Sequence, residues 1–445
     1  MTTRSLIPLV FLTLLTAPAL PLTAQQGNFG SSVAIAGEAI AVGQPANFYG
    51  PGAVYLYRMS GGGVWEEAGR LFAPDSTLAD SFGRSLAASS DRVVVGLPRE
   101  GGGGVAYLFG PGDEDGTWAP VATLPALAGG ASAGFGTAVA LSDRDAFVGA
   151  PDAKGPGAVY HFDPRGMGAA TSVLEPTAPV DAGFGSSLSL EGDLLLVGAP
   201  AAGSGAGAAV LYHRDPGGAW VEESVLLPDA STAGLFGASV HLSGGRAFVG
   251  APRGRQGMGT TAVYESGESG WSLAGILAPE GFSPGSAFGS AVHSVGGEVW
   301  VGAPNGGGGD GVVHRFRQED GGTWTRVGEV LPDSANTAAW PFGFGSAIAA
   351  GSDLAVVGMP TRDFGEGRAA ILRPDSDGSW DESATVLGEI ATAVSAIEEG
   401  ADCEDGSVEI FECNNMEVVS FTPVNQLGGA RGVWVNDVWG WTDPV

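Results

Sequence analysis

Short apolar runs of four to seven residues recur along the chain, and Gly-rich polar turns separate them. In the stretch "FGASVHLSGGRAFVGAP", from Phe236 to Pro252, two apolar runs flank a Ser-Gly-Gly turn. This arrangement is typical of a β-hairpin. A third run such as "GAVYLY" follows, and then a fourth that begins at a Trp, such as "WVEESVLL". Nothing in these stretches has a sustained period of 3.6 residues, so the pattern predicts short strands and few helices.

The pattern repeats seven times in a fixed register. Each copy begins with a Phe-Gly pair, at Phe29, Phe82, Phe135, Phe184, Phe236, Phe288 and Phe344. A Gly-x-Pro triplet begins 14 residues after each Phe, at Gly43, Gly96, Gly149, Gly198, Gly250, Gly302 and Gly358. A Trp follows the Phe by 36 residues in five copies and by 35 residues in one copy. The third copy has Thr171 in place of the Trp.

Each copy is too small to bury both faces of its own sheet and needs neighbours. Four-stranded antiparallel units satisfy that need by packing radially into a propeller. The sequence therefore predicts an all-β fold, a seven-bladed β-propeller built from seven four-stranded repeats. We interpret the seven Phe residues as packing anchors between blades. The Gly after each Phe allows close backbone approach, and the Gly-x-Pro triplet ends a strand.

These copies resemble FG-GAP repeats, the units of the seven-bladed head of integrin α subunits and of many exported bacterial proteins. The resemblance covers Phe29 to Leu387 and implies a β-propeller used mainly for adhesion or recognition. Integrin-type copies often carry a calcium loop between the first two strands. The turns here, such as "SGGR" and "VGGE", are too short and too poor in carboxylates to supply roughly six to eight oxygen ligands. The sequence resembles the calcium-free bacterial form, and we expect no metal and no cofactor.

Residues 1–24 have the order of an export signal. Arg4 precedes a mostly apolar stretch from Leu6 to Leu20, and Ala24 offers a small residue for cleavage. This stretch is shorter than the ~20 residues that span a bilayer. We therefore expect an exported protein, secreted or at the cell surface, whose propeller occupies residues 25–388 and which does not insert into a membrane after cleavage.

The net charge of the chain limits the classes of partner that it is expected to bind. The formal net charge is −29, and Lys154 is the only lysine. Such an acidic field repels nucleic acid and anionic membrane surfaces. We therefore expect an extracellular protein or glycan as the partner and no nucleic acid.

Residues 389–445 lack the Phe-Gly pair and have a different character. Cys403 and Cys413 are the two cysteines, and in an exported protein we expect a disulfide between them, with free thiols as the alternative. The stretches "CEDGSVEIFECNNMEVVSFTPVNQLGG" and "VNDVWGWTDP" resemble the opening of an LVIVD-repeat or choice-of-anchor B type domain. That resemblance implies the truncated start of a second domain. The alternative is a short extension that lies against the propeller.

The loops after Gly-x-Pro and the connections to the next Phe share one face of a propeller. Repeat proteins commonly bind through the face that carries their insertions. Aromatic and cationic side chains on this face are the candidate binding residues, namely Phe48, Tyr49, Arg253, Arg255, Trp340, Arg362 and Phe364. The alternative is that these side chains only shield the blade ends.

Few residues suggest catalysis. His241 and His293 both stand five residues after their Phe, and we interpret them as satisfied polar side chains near the axis, with metal binding as the alternative. The string "GFSPG" from Gly281 matches G-x-S-x-G, but it lies in an inter-blade loop without the strand and helix that this motif needs.

No histidine is recognisably part of a nucleophile–base pair, so no catalytic residue is predicted. By fold-level analogy we expect a non-enzymatic β-propeller for protein or glycan recognition or adhesion. The alternatives are a structural spacer of a longer surface protein, or an exported hydrolase or lyase with its site at the mouth of the propeller channel.

Overall fold

Seven four-stranded antiparallel sheets follow one another along the chain and form a ring, which confirms the predicted seven-bladed β-propeller. The structure, a computed structural model, describes residues 27–46, 51–76, 80–98, 103–112, 117–126, 134–166, 168–177, 179–279, 284–332, 343–376 and 378–386, and the pairs 401–402, 407–408, 411–412 and 417–418.

The first four blades contain strands β1 to β16. Their bounds are Ser32–Ala36, Ala39–Gln44, Ala53–Met59 and Trp65–Leu71 for β1 to β4; Ser85–Ala88, Val93–Leu97, Val105–Pro111 and Trp118–Pro125 for β5 to β8; Ala138–Leu141, Ala146–Ala150, Ala158–Phe162 and Ala170–Leu174 for β9 to β12; and Ser187–Glu191, Leu194–Ala199, Ala208–Arg214 and Trp220–Leu226 for β13 to β16.

The last three blades contain strands β17 to β28. Their bounds are Ser239–Ser243, Arg246–Ala251, Thr260–Gly267 and Gly270–Leu277 for β17 to β20; Ala291–Val295, Glu298–Ala303, Val312–Gln318 and Trp324–Val330 for β21 to β24; and Ile348–Ala350, Ala355–Met359, Arg368–Pro374 and Trp380–Val386 for β25 to β28. Four two-residue strands follow, Ala401–Asp402, Ser407–Val408, Phe411–Glu412 and Glu417–Val418.

Helical structure in the described ranges is confined to single turns in the loops after the second strand of a blade. These turns are Ala202–Gly205, Gly254–Gly257, Gly307–Gly309 and Arg362–Gly365. Within the described ranges no helix is long and apolar enough to cross a bilayer.

The second strand of a blade is buried along nearly its whole length, as in β2, β6, β10 and β22. Such a strand is buried on both faces because each blade packs against a neighbour on either side. This explains why its sequence is a continuous apolar run rather than an alternation of apolar and polar residues.

The joint between two blades is built from the repeated Phe-Gly and Gly-x-Pro residues. All seven Phe side chains are fully buried. Phe29, for example, packs edge-on against Tyr55, with ring centroids 5.4 Å apart. In every joint, the Gly of one Gly-x-Pro triplet lies directly against the carbonyl of the Gly in the next Phe-Gly pair, so closely that a Cβ there would overlap the oxygen. The triplet therefore has a packing role besides ending a strand.

The seventh blade closes onto the first through the same joint. β25 contacts β1, just as the other innermost strands contact their neighbours. The backbone N–H of Asn28 donates to the Gly365 carbonyl at 2.7 Å, and that of Phe29 donates to the Glu366 carbonyl at 3.1 Å. Each blade consists of one continuous stretch of chain, so the ring closes without exchange of a strand between the chain ends.

A buried ion-pair cluster replaces the missing Trp of the third blade. The side chain of Asp145 is 2% exposed, lies 2.7 Å from His161 Nε2, and also pairs with Arg214. On the other side of the His161 ring, Nδ1 lies 2.8 Å from the hydroxyl of Thr171. These contacts give the Asp145 carboxylate and both ring nitrogens of His161 a partner, which reduces the cost of burying them in a blade joint.

A second cluster lies where the sixth and seventh blades meet. The Glu298 carboxylate, 4% exposed, accepts two hydrogen bonds from Arg315, at 2.8 and 3.0 Å, and one from Arg317 at 2.6 Å. The Trp300 indole N–H also approaches this carboxylate at 3.3 Å, and the Trp300 ring packs edge-on against Trp380 at 4.9 Å. Burial alone would raise the pKa of Glu298, but the hydrogen bonds and charge of Arg315 lower it below its usual value.

Candidate active site

The innermost strands of the seven blades form a ring about the propeller axis, because each contacts the innermost strand of the next blade. Five residues after each Phe, in this ring, stand Ala34, Ala87, Ala140, Ser189, His241, His293 and Ala349. The polar members are therefore grouped in three consecutive blades, the fourth to the sixth.

His241 on β17 and His293 on β21 meet across the joint between the fifth and sixth blades. Their ring centroids lie 4.4 Å apart at an interplanar angle of 33°. No group of three His, Cys, Asp or Glu side chains that would hold a metal ion exists among the described residues.

Ser294 completes this arrangement. Its hydroxyl oxygen lies 3.0 Å from His241 Nε2, although the two residues are 53 positions apart in the sequence. A hydroxyl within hydrogen-bond reach of an imidazole is the first requirement for an activated nucleophile. The expectation that no histidine belongs to a nucleophile–base pair therefore missed Ser294, which sits one position further along the repeat than the two histidines.

The hairpin geometry directs the backbone of Ser294 toward the axis. Gly296 and Gly297, both at positive φ, form the two-residue turn between β21 and β22, and Val295 pairs with Glu298 across it. Such a flanking pair exchanges both of its hydrogen bonds, so the next residue back, Ser294, points its N–H and C=O away from β22. In agreement, the Ser294 carbonyl accepts the Nδ1–H of His293 at 2.9 Å.

The imidazoles of His241 and His293 are surrounded by protein atoms, and both residues are half-buried. Burial lowers the pKa of His241 well below its usual value, and the neighbouring His293 lowers it further. Burial likewise lowers the pKa of His293. Both rings are therefore neutral at neutral pH, the state in which Nε2 of His241 can accept a proton from Ser294.

These neutral histidines predict that the protein loses stability in mild acid. Burial also lowers the pKa of His314, to about 4. As the pH falls below about 6.5, the unfolded chain binds protons that these three folded-state histidines resist, so the free energy of unfolding falls by up to ~1.4 kcal/mol per histidine per pH unit. The measurement is the urea midpoint at pH 7 and pH 5. The double variant His241→Asn, His293→Asn should show a smaller pH dependence, and an unchanged one would contradict the assignment.

Ser294 lies one residue from the end of β21. It is therefore near the face formed by the turns that join the first and second strands of each blade, which we call the first-hairpin turns. The loops predicted for binding are at the opposite face. There Arg253 and Arg255 are exposed in and beside the turn Gly254–Gly257, and Arg362 is 4% exposed. The side chains of Phe48, Tyr49, Trp340 and Phe364 lie outside the described residues, as do Cys403 and Cys413 and Ser283 of "GFSPG". The seven binding candidates and the disulfide stay predictions.

The fold and this axial site define a seven-bladed β-propeller with a histidine–serine pair near its centre. The sequence profile of the FG-GAP repeat family matches residues 65–109. The seven blades follow the register of this repeat, so the protein is an FG-GAP-repeat β-propeller. The presence of FG-GAP repeats is compatible with an exported protein. The C-terminal resemblance to an LVIVD-type domain stays a prediction. No curated protein matches the sequence.

Two solved structures share the architecture. A protein of Bacteroides uniformis named a "putative 6-phosphogluconolactonase" has a TM-score of 0.53 and 11% identity, covering 76% of this chain and 93% of that one. A protein of Bacteroides fragilis with the same designation has a TM-score of 0.51 and 13% identity, covering 75% and 90%. At this identity the similarity establishes the fold alone.

These comparisons correct the expectation of a non-enzymatic recognition or adhesion module. That expectation rested on fold-level analogy with integrin-type propellers, and the two solved propellers described above carry the names of enzymes. It was therefore wrong to infer from the propeller that the protein does not catalyse a reaction. The function must therefore be argued from the chemistry of the axial residues and not from the fold.

Proposed function

We propose that this protein is an exported hydrolase that opens a small cyclic ester, a lactone, with Ser294 as nucleophile and His241 as general base. The observation that carries the proposal is the 3.0 Å separation of Ser294 Oγ and His241 Nε2. The lactonase names of two propellers with the same fold support a lactone as the substrate class.

The lowered pKa of His241 keeps the ring neutral in the resting protein and favours the step in which its imidazolium gives up a proton. In the resting protein the neutral ring accepts the Ser294 proton as the hydroxyl attacks the ester carbonyl. The imidazolium that forms is destabilised by burial and by the neighbouring His293. It therefore returns its proton readily to the oxygen that leaves as the lactone ring opens.

The reaction balances as an ordinary ester hydrolysis. Ser294 Oγ forms a bond to the carbonyl carbon, the C–O bond of the ring breaks, and His241 gives the proton to the ring oxygen, which becomes a hydroxyl. The acyl group then stays on Ser294. A water molecule, deprotonated by His241, attacks that acyl carbon, and the proton passes to Ser294 as the free hydroxy acid leaves.

The backbone N–H of Ser294 is a donor that the hairpin register leaves available to the developing oxyanion. It points away from β22 because of the hairpin register, and it belongs to the nucleophile itself. The corresponding N–H on β17, that of Leu242, already donates to the Ser189 hydroxyl at 2.9 Å. Ser294 N–H is thus better placed than Leu242 N–H to receive the charge.

The test is the rate of lactone ring opening by the purified protein and its variants, followed by proton release with five- and six-membered lactones. Ser294→Ala and His241→Asn are each expected to lower kcat by about 10³-fold or more, because each removes half of the nucleophile–base pair.

Ser243→Ala is the matched control. Ser243 lies on β17, the strand that carries His241, and it forms no hydrogen bond to a histidine among the described residues. This variant should retain the wild-type rate. Hydrolysis that survives Ser294→Ala, or the absence of hydrolysis of any lactone by the wild-type protein, would overturn the proposal.

A further inference from the structure

The first-hairpin turns surround the axis at the end nearest Ser294 and carry an excess of carboxylates. Four exposed acidic side chains stand in these turns in the first, second, third and seventh blades, at Glu38, Asp91, Asp143 and Asp353. The fourth blade adds Glu191 and Asp193 at the same place in the repeat. We call these six residues the acidic rim.

Among the described ion pairs, arginines reach one member of the rim, Asp193, which pairs with Arg144 and with Arg214. Arg144 pairs with Asp193 at 3.0 Å, and Arg246 pairs with Glu265 at 2.6 Å on the neighbouring third strand. Arg92 donates to the Pro164 carbonyl. Each of these guanidinium groups therefore already has an acceptor, and a phosphate would have to compete with it.

The axial residues themselves offer no positive charge. The lowered pKa values of His241 and His293 keep both rings neutral at neutral pH. The remaining side chains at this level of the ring are Ser189 and four alanines. A phosphate group commonly requires arginine, lysine or a helix N-terminus. This site supplies neither an arginine nor a lysine, and the net charge of the whole chain is −29.

From this arrangement we infer that the site selects uncharged lactones and rejects phosphorylated ones, with the acidic rim as the filter. The inference rests on the proposed lactone hydrolysis and names its substrate class. It also separates this chain from the phosphorylated substrate in the names of the two similar propellers. Carboxylates around an entrance raise the local concentration of cations and lower that of anions, and the effect weakens as salt screens them.

The experiment compares kcat/KM for a sugar lactone and for the same lactone carrying a phosphate ester. At low ionic strength the uncharged lactone should be favoured by at least about tenfold, and the ratio should shrink as salt is added to 0.5 M. The rim variant Glu38→Gln, Asp91→Asn, Asp143→Asn, Asp353→Asn should lower the ratio by raising kcat/KM for the phosphorylated lactone, with little change for the uncharged one.

A control with the same total charge separates the rim from the overall field. The variant Glu66→Gln, Asp152→Asn, Glu268→Gln, Asp310→Asn removes four exposed carboxylates that lie outside the rim. It should keep the wild-type ratio. Equal or faster hydrolysis of the phosphorylated lactone by the wild-type protein would overturn the inference and leave the proposed function intact. Equal effects of the two variants would overturn the role of the rim, and failure to hydrolyse either lactone would overturn both proposals.

Discussion

Gly358→Ala is expected to lower the free energy of unfolding by about 3–5 kcal/mol, an effect at the upper end for a single added methyl group. A Cβ at Gly358 would overlap the carbonyl of Gly30, far inside the 3.0 Å below which real Cβ contacts essentially never fall. The obstructing atom is backbone, so it cannot move aside by changing rotamer. Gly30 in turn has a φ of 87°, which fixes it in a conformation that L side chains rarely adopt.

This substitution also tests whether the ring is closed, because Gly358 and Gly30 join the last blade to the first. Gly198→Ala alters the equivalent joint between the fourth and fifth blades, where the obstructing atom is the carbonyl of Gly237. In a closed ring the two variants should lose similar stability in urea. Gly69→Ala is the control, since a Cβ on that strand residue meets nothing within 4 Å. If Gly358→Ala unfolded like Gly69→Ala, the closing joint described above would be wrong.

Glu298→Ala is expected to cost a comparable ~3–5 kcal/mol, because it leaves the charge of Arg315 partly buried without its carboxylate. The side chain of Arg315 is 10% exposed, and both of its bonds to Glu298 would be lost. Glu298→Gln keeps an acceptor but removes the charge, so it should lie between the wild-type protein and the alanine variant.

A solvent-accessible ion pair serves as the comparison for the buried pair of Glu298 and Arg315. Glu67 and Arg70 form a 2.6 Å ion pair on β4 with side chains 35% and 31% exposed. Glu67→Ala should therefore cost no more than about 1 kcal/mol. Thermal or urea unfolding of the three variants at pH 7 provides the measurement. Equal losses for Glu67→Ala and Glu298→Ala would show that burial of the second cluster contributes nothing to stability.

The architecture could be predicted from the sequence because its cause is local and repeated. The interval from each Phe to its Gly-x-Pro triplet is the same in all seven copies, and each interval spans one hairpin. The reason for the glycine in that triplet could not be predicted, because its close neighbour is a carbonyl in the following blade. Nor could the closing hydrogen bonds from Asn28 and Phe29, which join residues at opposite ends of the repeat array.

Only part of the candidate site could be predicted from the sequence. His241 and His293 stand out because they share a repeat position, but a search within one copy places no serine beside either base. The signal that identifies Ser294 is its own repeat position, six residues after the Phe, where the other copies have only Ile, Leu or Ala. A polar residue at a position that is otherwise apolar indicates a local function. Its partner becomes apparent only when adjacent blades are placed side by side.

The most direct measurement is the mass of the protein after exposure to an activated ester whose acyl group leaves serine slowly. We predict one added acyl group, located on Ser294 by peptide mapping, that fails to form in Ser294→Ala and forms far more slowly in His241→Asn. An acyl group found on another residue, or none on Ser294 while the protein hydrolyses the ester, would contradict the assignment of Ser294 as the nucleophile.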